Sequence, residues 1–332
     1  MLKIVADSAI PFLRGVLEPW AEVRYIPGAE ISAAEVHDAD ALVVRTRTRC
    51  DEKLLAGSRV RLVATATIGF DHIDTAWCAA HGIRIATAAG CNARGVLQWV
   101  AAALEYLARS QGWHPTDKTL GIVGVGHVGS LIEAYAAQWG FRVICCDPPR
   151  EAREHLGFRP LDEVARHADL LTFHVPLDAT TRHLVDARLL GLLKPGAVVI
   201  NSSRGETVDG DALLASGHPC VLDVWEHEPR IDPALLDRAL LATPHIAGYS
   251  EQGKATATAR AVEAVASTFS LPLAGWYPSA AAPSAPRPIS WPELCSTIRT
   301  AFDIEAESRR LKSRPADFEL LRDRYDYRKE YF

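Results

Sequence analysis

Short apolar runs separated by polar or helical connections set the rhythm of the first hundred residues. Leu2–Ala6, Glu22–Ile26, Ala41–Val44, Leu62–Thr67 and Gly82–Ala86 are the strand candidates. Their alternation with helical segments predicts a parallel α/β sheet with helices on its faces. A long amphipathic helix should follow from about Ala93 to Ser110, ahead of the breaker segment Trp113-His114-Pro115-Thr116.

A second series of the same kind begins with Thr119–Val125, a nearly continuous apolar run, and continues through Arg142–Asp147, Asp169–His174, Ala197–Asn201 and Cys220–Val224. Two consecutive series imply two sheets. Beyond Thr243-Pro244-His245, the Ala- and Thr-rich stretch Glu251–Phe269 has helical spacing and should return the chain to the first domain. Residues 271–288 shift to Pro, Ala and Ser, the composition of a linker. Ile289–Phe332 is rich in Arg, Asp and aromatics and is too short to bury a core alone. It should pack on its own subunit or on a partner.

Length sharpens this division, because 332 residues exceed one core. The expected fold is α/β with two Rossmann-like domains. Residues 1–95 plus 250–275 form a substrate domain, 96–249 the nucleotide domain, and 276–332 a linker and C-terminal segment. A net charge of −5 argues against a nucleic-acid surface while leaving room for a basic pocket that takes a small anion. The seven cysteines include no C-x-x-C pair and leave one unmatched, which suits reduced thiols rather than disulfides or a metal site. An acid at Asp7 interrupts any leader-like apolar run, and Gln98 and Glu105 break the longest apolar stretch. The expectation is a cytoplasmic protein with no membrane, nucleic-acid or metal partner.

Gly124-Val125-Gly126-His127-Val128-Gly129 is the first feature with specific chemistry. Glycines at this spacing are a weak signal alone, but here an apolar strand precedes them and a helix-forming run, Ser130–Trp139, follows. Gly124 suits a tight turn, Gly126 a close approach of backbone to a pyrophosphate, and Gly129 close helix–sheet packing. The helix N-terminus adds free N–H donors. About twenty residues on, the next strand ends at Asp147, where a carboxylate accepts from ribose hydroxyls and repels a 2′-phosphate. NAD is therefore expected over NADP, with Arg150 as a nearby counter-argument.

Hydride exchange between nicotinamide and a 2-hydroxy acid needs a base, a group that orients the base, and a cation for the carboxylate. Arg204 in Asn201-Ser202-Ser203-Arg204-Gly205 offers a bidentate cation, although a strand-end arginine is more often an ordinary ion-pair partner. His245 in Pro244-His245-Ile246-Ala247-Gly248 offers an imidazole, the side-chain type suited to reversible proton exchange near neutral pH, although it is one of twelve histidines. Glu228 follows the strand Cys220–Val224 in Asp223-Val224-Trp225-Glu226-His227-Glu228-Pro229, with Glu226 as a rival for the orienting role.

Together these motifs resemble the D-isomer-specific 2-hydroxyacid dehydrogenase family over roughly residues 1–270. The resemblance implies catalysis by Arg204, Glu228 and His245, and a cleft that closes between a substrate domain and a nucleotide domain. It implies substrate contacts from Thr46, Thr67 and Tyr249. It also implies an NAD site formed by Gly124, Gly126, His127, Val128, Gly129, Asp147, Ser202, Ser203, Arg204, Asp223 and Gly248. Thr46 and Thr67 have an alternative as strand-end hydroxyls capping backbone groups, and Tyr249 as a half-buried aromatic. Val175 stands where the family often has a hydroxyl near the cofactor, so it is left out of the site. Further motifs, among them Ala64–Asp74 and the tail Phe318–Tyr331, narrow the resemblance to members that take a small phosphorylated 2-hydroxy acid and form homodimers through a C-terminal segment, here a short one. Another family substrate, or a non-catalytic NAD-sensing role, remains open at this level.

Overall fold

The computed structural model describes residues 1–332 as two compact units, Met1–Asn92 with Ser250–Ser284, and Ala93–Tyr249 with Ala285–Phe332. In the first unit, five strands form one parallel sheet in the order β2-β1-β3-β4-β5. They are β1 (Leu2–Asp7), β2 (Ala21–Ile26), β3 (Ala41–Val44), β4 (Leu62–Thr65) and β5 (Arg84–Thr87). β3 and β4 are buried along their whole length. Alternate residues feed two cores: Ile4, Ala6, Val43 and Ala64 pack on one face, Val5, Leu42, Val44 and Val63 on the other. That two-sided burial explains why these strands read as unbroken apolar runs.

The helix Glu251–Phe269 covers the first of those faces with Ala257, Ala261, Val262 and Val265. Small residues at helical spacing let it lie close to the sheet. Ser250 caps its start by accepting from the Gly253 N–H.

The second unit carries six parallel strands in the order β11-β10-β9-β8-β6-β7. They are β6 (Thr119–Val123), β7 (Arg142–Cys146), β8 (Leu170–Phe173), β9 (Val198–Asn201), β10 (Cys220–Leu222) and β11 (Leu241–Ala242). β11 is two residues long, below what a periodicity reading detects. Several sequence boundaries run past the strands, because residues such as Gly124, Val125, Asp147 and Asp223 belong to the turns that follow. The strand order reverses at β6, between β7 and β8. In open parallel sheets such a reversal opens a crevice at the carboxyl ends of the strands, where ligands bind.

The C-terminal segment forms three helices, Trp291–Ala301, Ile304–Ser313 and Phe318–Asp323. Residues 285–332 cluster with the second unit rather than standing as a separate body. Trp291, Leu294, Ile298 and Phe332 join Trp139 and Leu104 in one core; Leu311 and Phe318 join the core on the opposite face of the sheet. The Trp139 indole N–H donates to the Ile289 carbonyl at 3.0 Å and the Tyr135 hydroxyl to that of Arg287 at 2.7 Å. No helix of the protein is long and apolar enough to cross a membrane.

Candidate active site

The carboxyl ends of β6 and β7 build a cradle. Gly124 has φ +85°, and a Cβ there would lie 2.6 Å from the His174 carbonyl oxygen. A Cβ on Gly129 would lie 2.0 Å from the Gly124 oxygen, so the helix His127–Trp139 can start this close to the strand only with glycine there. Gly126 differs: a Cβ on it meets nothing within 4 Å, and the open space beside it faces the helix N-terminus. His127 is exposed and Val128 half-buried at that terminus. Val175 packs on Gly124.

Asp147 ties β7 to this loop. Its Oδ2 accepts from the Val125 N–H at 2.8 Å, and its Oδ1 caps the helix Pro148–Glu154 by accepting from the Arg150 N–H at 2.9 Å. The Arg150 side chain is engaged: its Nη1 donates to the Val125 carbonyl, and its remaining nitrogens pair with Glu154. Across the sheet the Ser202 hydroxyl is shielded from water and meets no partner. An open glycine turn at a helix start, a carboxylate at the next strand end and an orphaned hydroxyl fit a dinucleotide.

At the ends of β9 and β10 the chain forms two touching loops. The Asn201 side chain accepts from the Ser203 N–H and hydroxyl and donates to the Arg204 carbonyl, which fixes the turn bearing Arg204. The Arg204 Nη1 donates to the Ser203 carbonyl at 2.8 Å. A Cβ on Gly205 would fall 2.0 Å from the Trp225 carbonyl carbon, so glycine is required for this loop to lie against the backbone leading to Glu228. Glu226, the rival orienting acid, is spent on His183 at 2.7 Å and on the Gly210 N–H at 3.0 Å.

Glu228 meets His245. The His245 Nδ1 lies 2.8 Å from the Glu228 Oε2, while Oε1 accepts from the Trp225 N–H at 3.0 Å. Burial pushes the Glu228 carboxyl up, but His245, the Trp225 N–H and Arg322 together hold it below the usual carboxylate range. The carboxylate therefore stays charged, which leaves the imidazole's other nitrogen to exchange a proton. His174, at the end of β8, is different: burial pushes it down to about 3, so it stays neutral beside Thr172.

His245 itself has φ +58°, an uncommon conformation for a residue with a side chain. Asp223 holds it there. The Asp223 carbonyl accepts from the His245 N–H at 2.7 Å, and its carboxylate accepts from Ile246 N–H, Ala247 N–H and the Thr243 hydroxyl. Thr243 is fixed in turn by the indoles of Trp99 and Trp225. Burial pushes the Asp223 carboxyl above the usual range, while the donors around it favour the charged form. Asp223, expected at the cofactor site, is 1% exposed, and its carboxylate braces the histidine loop.

The remaining expected residues occupy separate places. Gly248 and Tyr249 follow the brace, with Tyr249 edge-on to Tyr325 and Tyr327 of the C-terminal segment. Thr46 and Thr67 belong to the first unit. Thr46 is exposed in the turn after β3, and the Thr67 hydroxyl lies 2.6 Å from that of Thr65 and donates to the Gly69 carbonyl at 3.1 Å.

Residues that the sequence did not single out also reach this region. Arg328 is 7% exposed and donates to the carbonyls of Ile246, Ala247 and Gly95 while stacking on Phe302. Arg322 approaches the Glu228 Oε2 at 3.6 Å. In the sequence both arginines stood out only as members of the tail Phe318–Tyr331, with its density of arginine and tyrosine, and not as site residues. No group of three or more His, Cys, Asp or Glu side chains is placed to hold a metal ion.

Residues 93–247 match the family description "D-isomer specific 2-hydroxyacid dehydrogenase, NAD binding domain". The erythronate-4-phosphate dehydrogenase of Bacteroides fragilis is 44% identical over 99% of this chain and 97% of its own length. The enzyme of that name from Cronobacter sakazakii is 42% identical over 99% of this chain and 92% of its own. Among solved structures, the NAD⁺-bound 3-phosphoglycerate dehydrogenase of Entamoeba histolytica shares the fold at a TM-score of 0.69 and 24% identity, covering 81% of this chain and 95% of that one.

Proposed function

Because the chain belongs to the D-isomer-specific 2-hydroxyacid dehydrogenase family, we propose that it oxidises 4-phospho-D-erythronate to 3-hydroxy-2-oxo-4-phosphooxybutanoate with NAD. The observation that carries the chemistry is the 2.8 Å contact between His245 and Glu228, at the end of a sheet whose glycine turn fits a dinucleotide. The substrate comes from the full-length likeness to erythronate-4-phosphate dehydrogenases. That activity places the protein in pyridoxal phosphate (vitamin B6) biosynthesis.

NAD, when bound, supplies the nicotinamide that takes hydride from C2. Gly124, Gly126 and Gly129, the backbone of His127 and Val128, and Ser202, Ser203, Arg204, Asp223 and Gly248 would hold it, with Asp147 placed for the adenosine ribose. Arg204 fixes the substrate carboxylate and polarises the C2 oxygen. His245 takes the C2 hydroxyl proton on Nε2, and Glu228 stabilises the imidazolium that results. Asp223 and the αL backbone keep that ring oriented before substrate arrives, which removes an ordering cost from the reaction. Thr46, Thr67 and Tyr249 contact the substrate. The C-terminal segment pairs two copies, and the enzyme works in the cytoplasm, in keeping with seven cysteines that form no disulfide.

The test is turnover followed by NADH absorbance on 4-phospho-D-erythronate, D-erythronate, 3-phosphoglycerate and, in reverse, glyoxylate and hydroxypyruvate. The highest kcat/KM should fall to 4-phospho-D-erythronate. A preference for an unphosphorylated acid would sink the substrate assignment.

A further inference from the structure

We infer that Arg322 is a positioning residue for the reaction: from the C-terminal segment it sets how strongly Glu228 holds the protonated His245, and so the pH range of turnover. The inference rests on the acid–base role proposed for His245 and Glu228.

The geometry is a line of alternating charge. His245 Nδ1 lies 2.8 Å from Glu228 Oε2, and Arg322 Nη1 lies 3.6 Å from the same oxygen. The other Glu228 oxygen is committed to the Trp225 N–H, so Oε2 divides its charge between the imidazole and the guanidinium. Arg322 is 20% exposed and Glu228 18%, which weakens solvent screening of the pair. The neighbouring charges are accounted for. Glu226 is paired with His183, and Asp223 is occupied by the 243–247 loop. Glu319 faces Arg322 from one turn earlier at 3.5 Å and is 52% exposed, and it competes with Glu228 for the same guanidinium.

Arg322 lies over the Phe318 ring at 5.8 Å, but its helix has other anchors. Phe318 is fully buried in the core, Leu321 packs against that core, and the following stretch is tied down by Arg328. The guanidinium therefore acts on Glu228 from a scaffold that stands without it. A cation beside Glu228 weakens that carboxylate's grip on imidazolium. Without it, His245 keeps its proton to higher pH, and the oxidation, which needs the neutral ring, is lost at a higher pH on the acid side.

The test uses full-length protein and profiles of kcat/KM against pH for oxidation of 4-phospho-D-erythronate. In Arg322→Gln the acid limb should move up by about half a pH unit, a roughly threefold loss on that side, with the alkaline limb of the reverse reaction moving the same way. Arg322→Lys should restore the wild-type limb. Glu319→Gln, at a site 52% exposed, should move the limb in the opposite direction, and it carries the test if Arg322→Gln is insoluble. A uniform loss across pH with the limb unmoved would overturn the inference, as would Arg322→Lys behaving like Arg322→Gln. An unmoved limb in Glu319→Gln would count the same way. Turnover surviving in His245→Asn would defeat the underlying acid–base reading instead, so the two failures are separable.

Discussion

The two sheets are built alike and finished differently. Both are all-parallel, both bury alternate residues of each central strand in opposite cores, and both end in turns that carry the expected site residues. In the first unit those residues are hydroxyls, such as Thr67, held by Thr65 and the Gly69 carbonyl. In the second unit they include carboxylates braced by backbone N–H groups: Asp147 by two, Asp223 by two and a hydroxyl, Glu228 by one and by His245. A buried carboxylate with several donors resists displacement more than a hydroxyl does, since removing it strands each donor. On the roles proposed above, the acid–base groups stand on the more heavily braced turns and Thr67 on the less braced one.

The largest expected effect is on His245. Replacing it with Asn should lower kcat/KM by about a thousandfold or more while NADH binding, followed by fluorescence titration, is retained. Asp223→Ala comes next. Stranding two N–H groups and a hydroxyl should cost about 2–4 kcal/mol in urea unfolding and lower kcat as the histidine loop loosens. An unfolding curve like wild type would end the bracing argument. Asp147→Ser preserves a helix cap but removes the charge, so the KM for NAD should rise by about tenfold and discrimination against NADP should shrink.

On the other side of the comparison, Thr67→Val should raise the substrate KM by only a few-fold, with stability within about 1 kcal/mol of wild type. A collapse of kcat would show that the first unit is as preorganised as the second. The smallest effect is in pH. Glu228 is held below its ordinary value of 4.5 in the fold, so its stabilising contribution is present above that pH and disappears as pH falls through the lowered value. Thermal unfolding of Glu228→Gln should therefore depend less on pH than wild type below about pH 4.5.

Much of the fold was legible because burial on both faces leaves a plain trace in sequence. The helix Glu251–Phe269 has the expected bounds, and Ala93–Gln111 extends the expected helix by one residue. Strand ends were overrun where apolar or acidic turn residues continue a strand's composition, as at Val125 and Asp147. The glycine turn was readable because its steric demand permits no other residue at Gly129.

The choice between Glu226 and Glu228 was not readable. The two acids are two residues apart in one loop, and only the folded chain turns one to His183 and the other to His245. Nor could spacing reveal that Asp223 faces inward, or that Arg322 and Arg328, some eighty residues or more along the chain, reach the histidine loop. Local patterns determine strands, helices and the dinucleotide turn because periodicity and steric limits act over a few residues. The orientation of charged side chains depends on donors and charges brought from distant parts of the chain, and that was decided only by the tertiary structure.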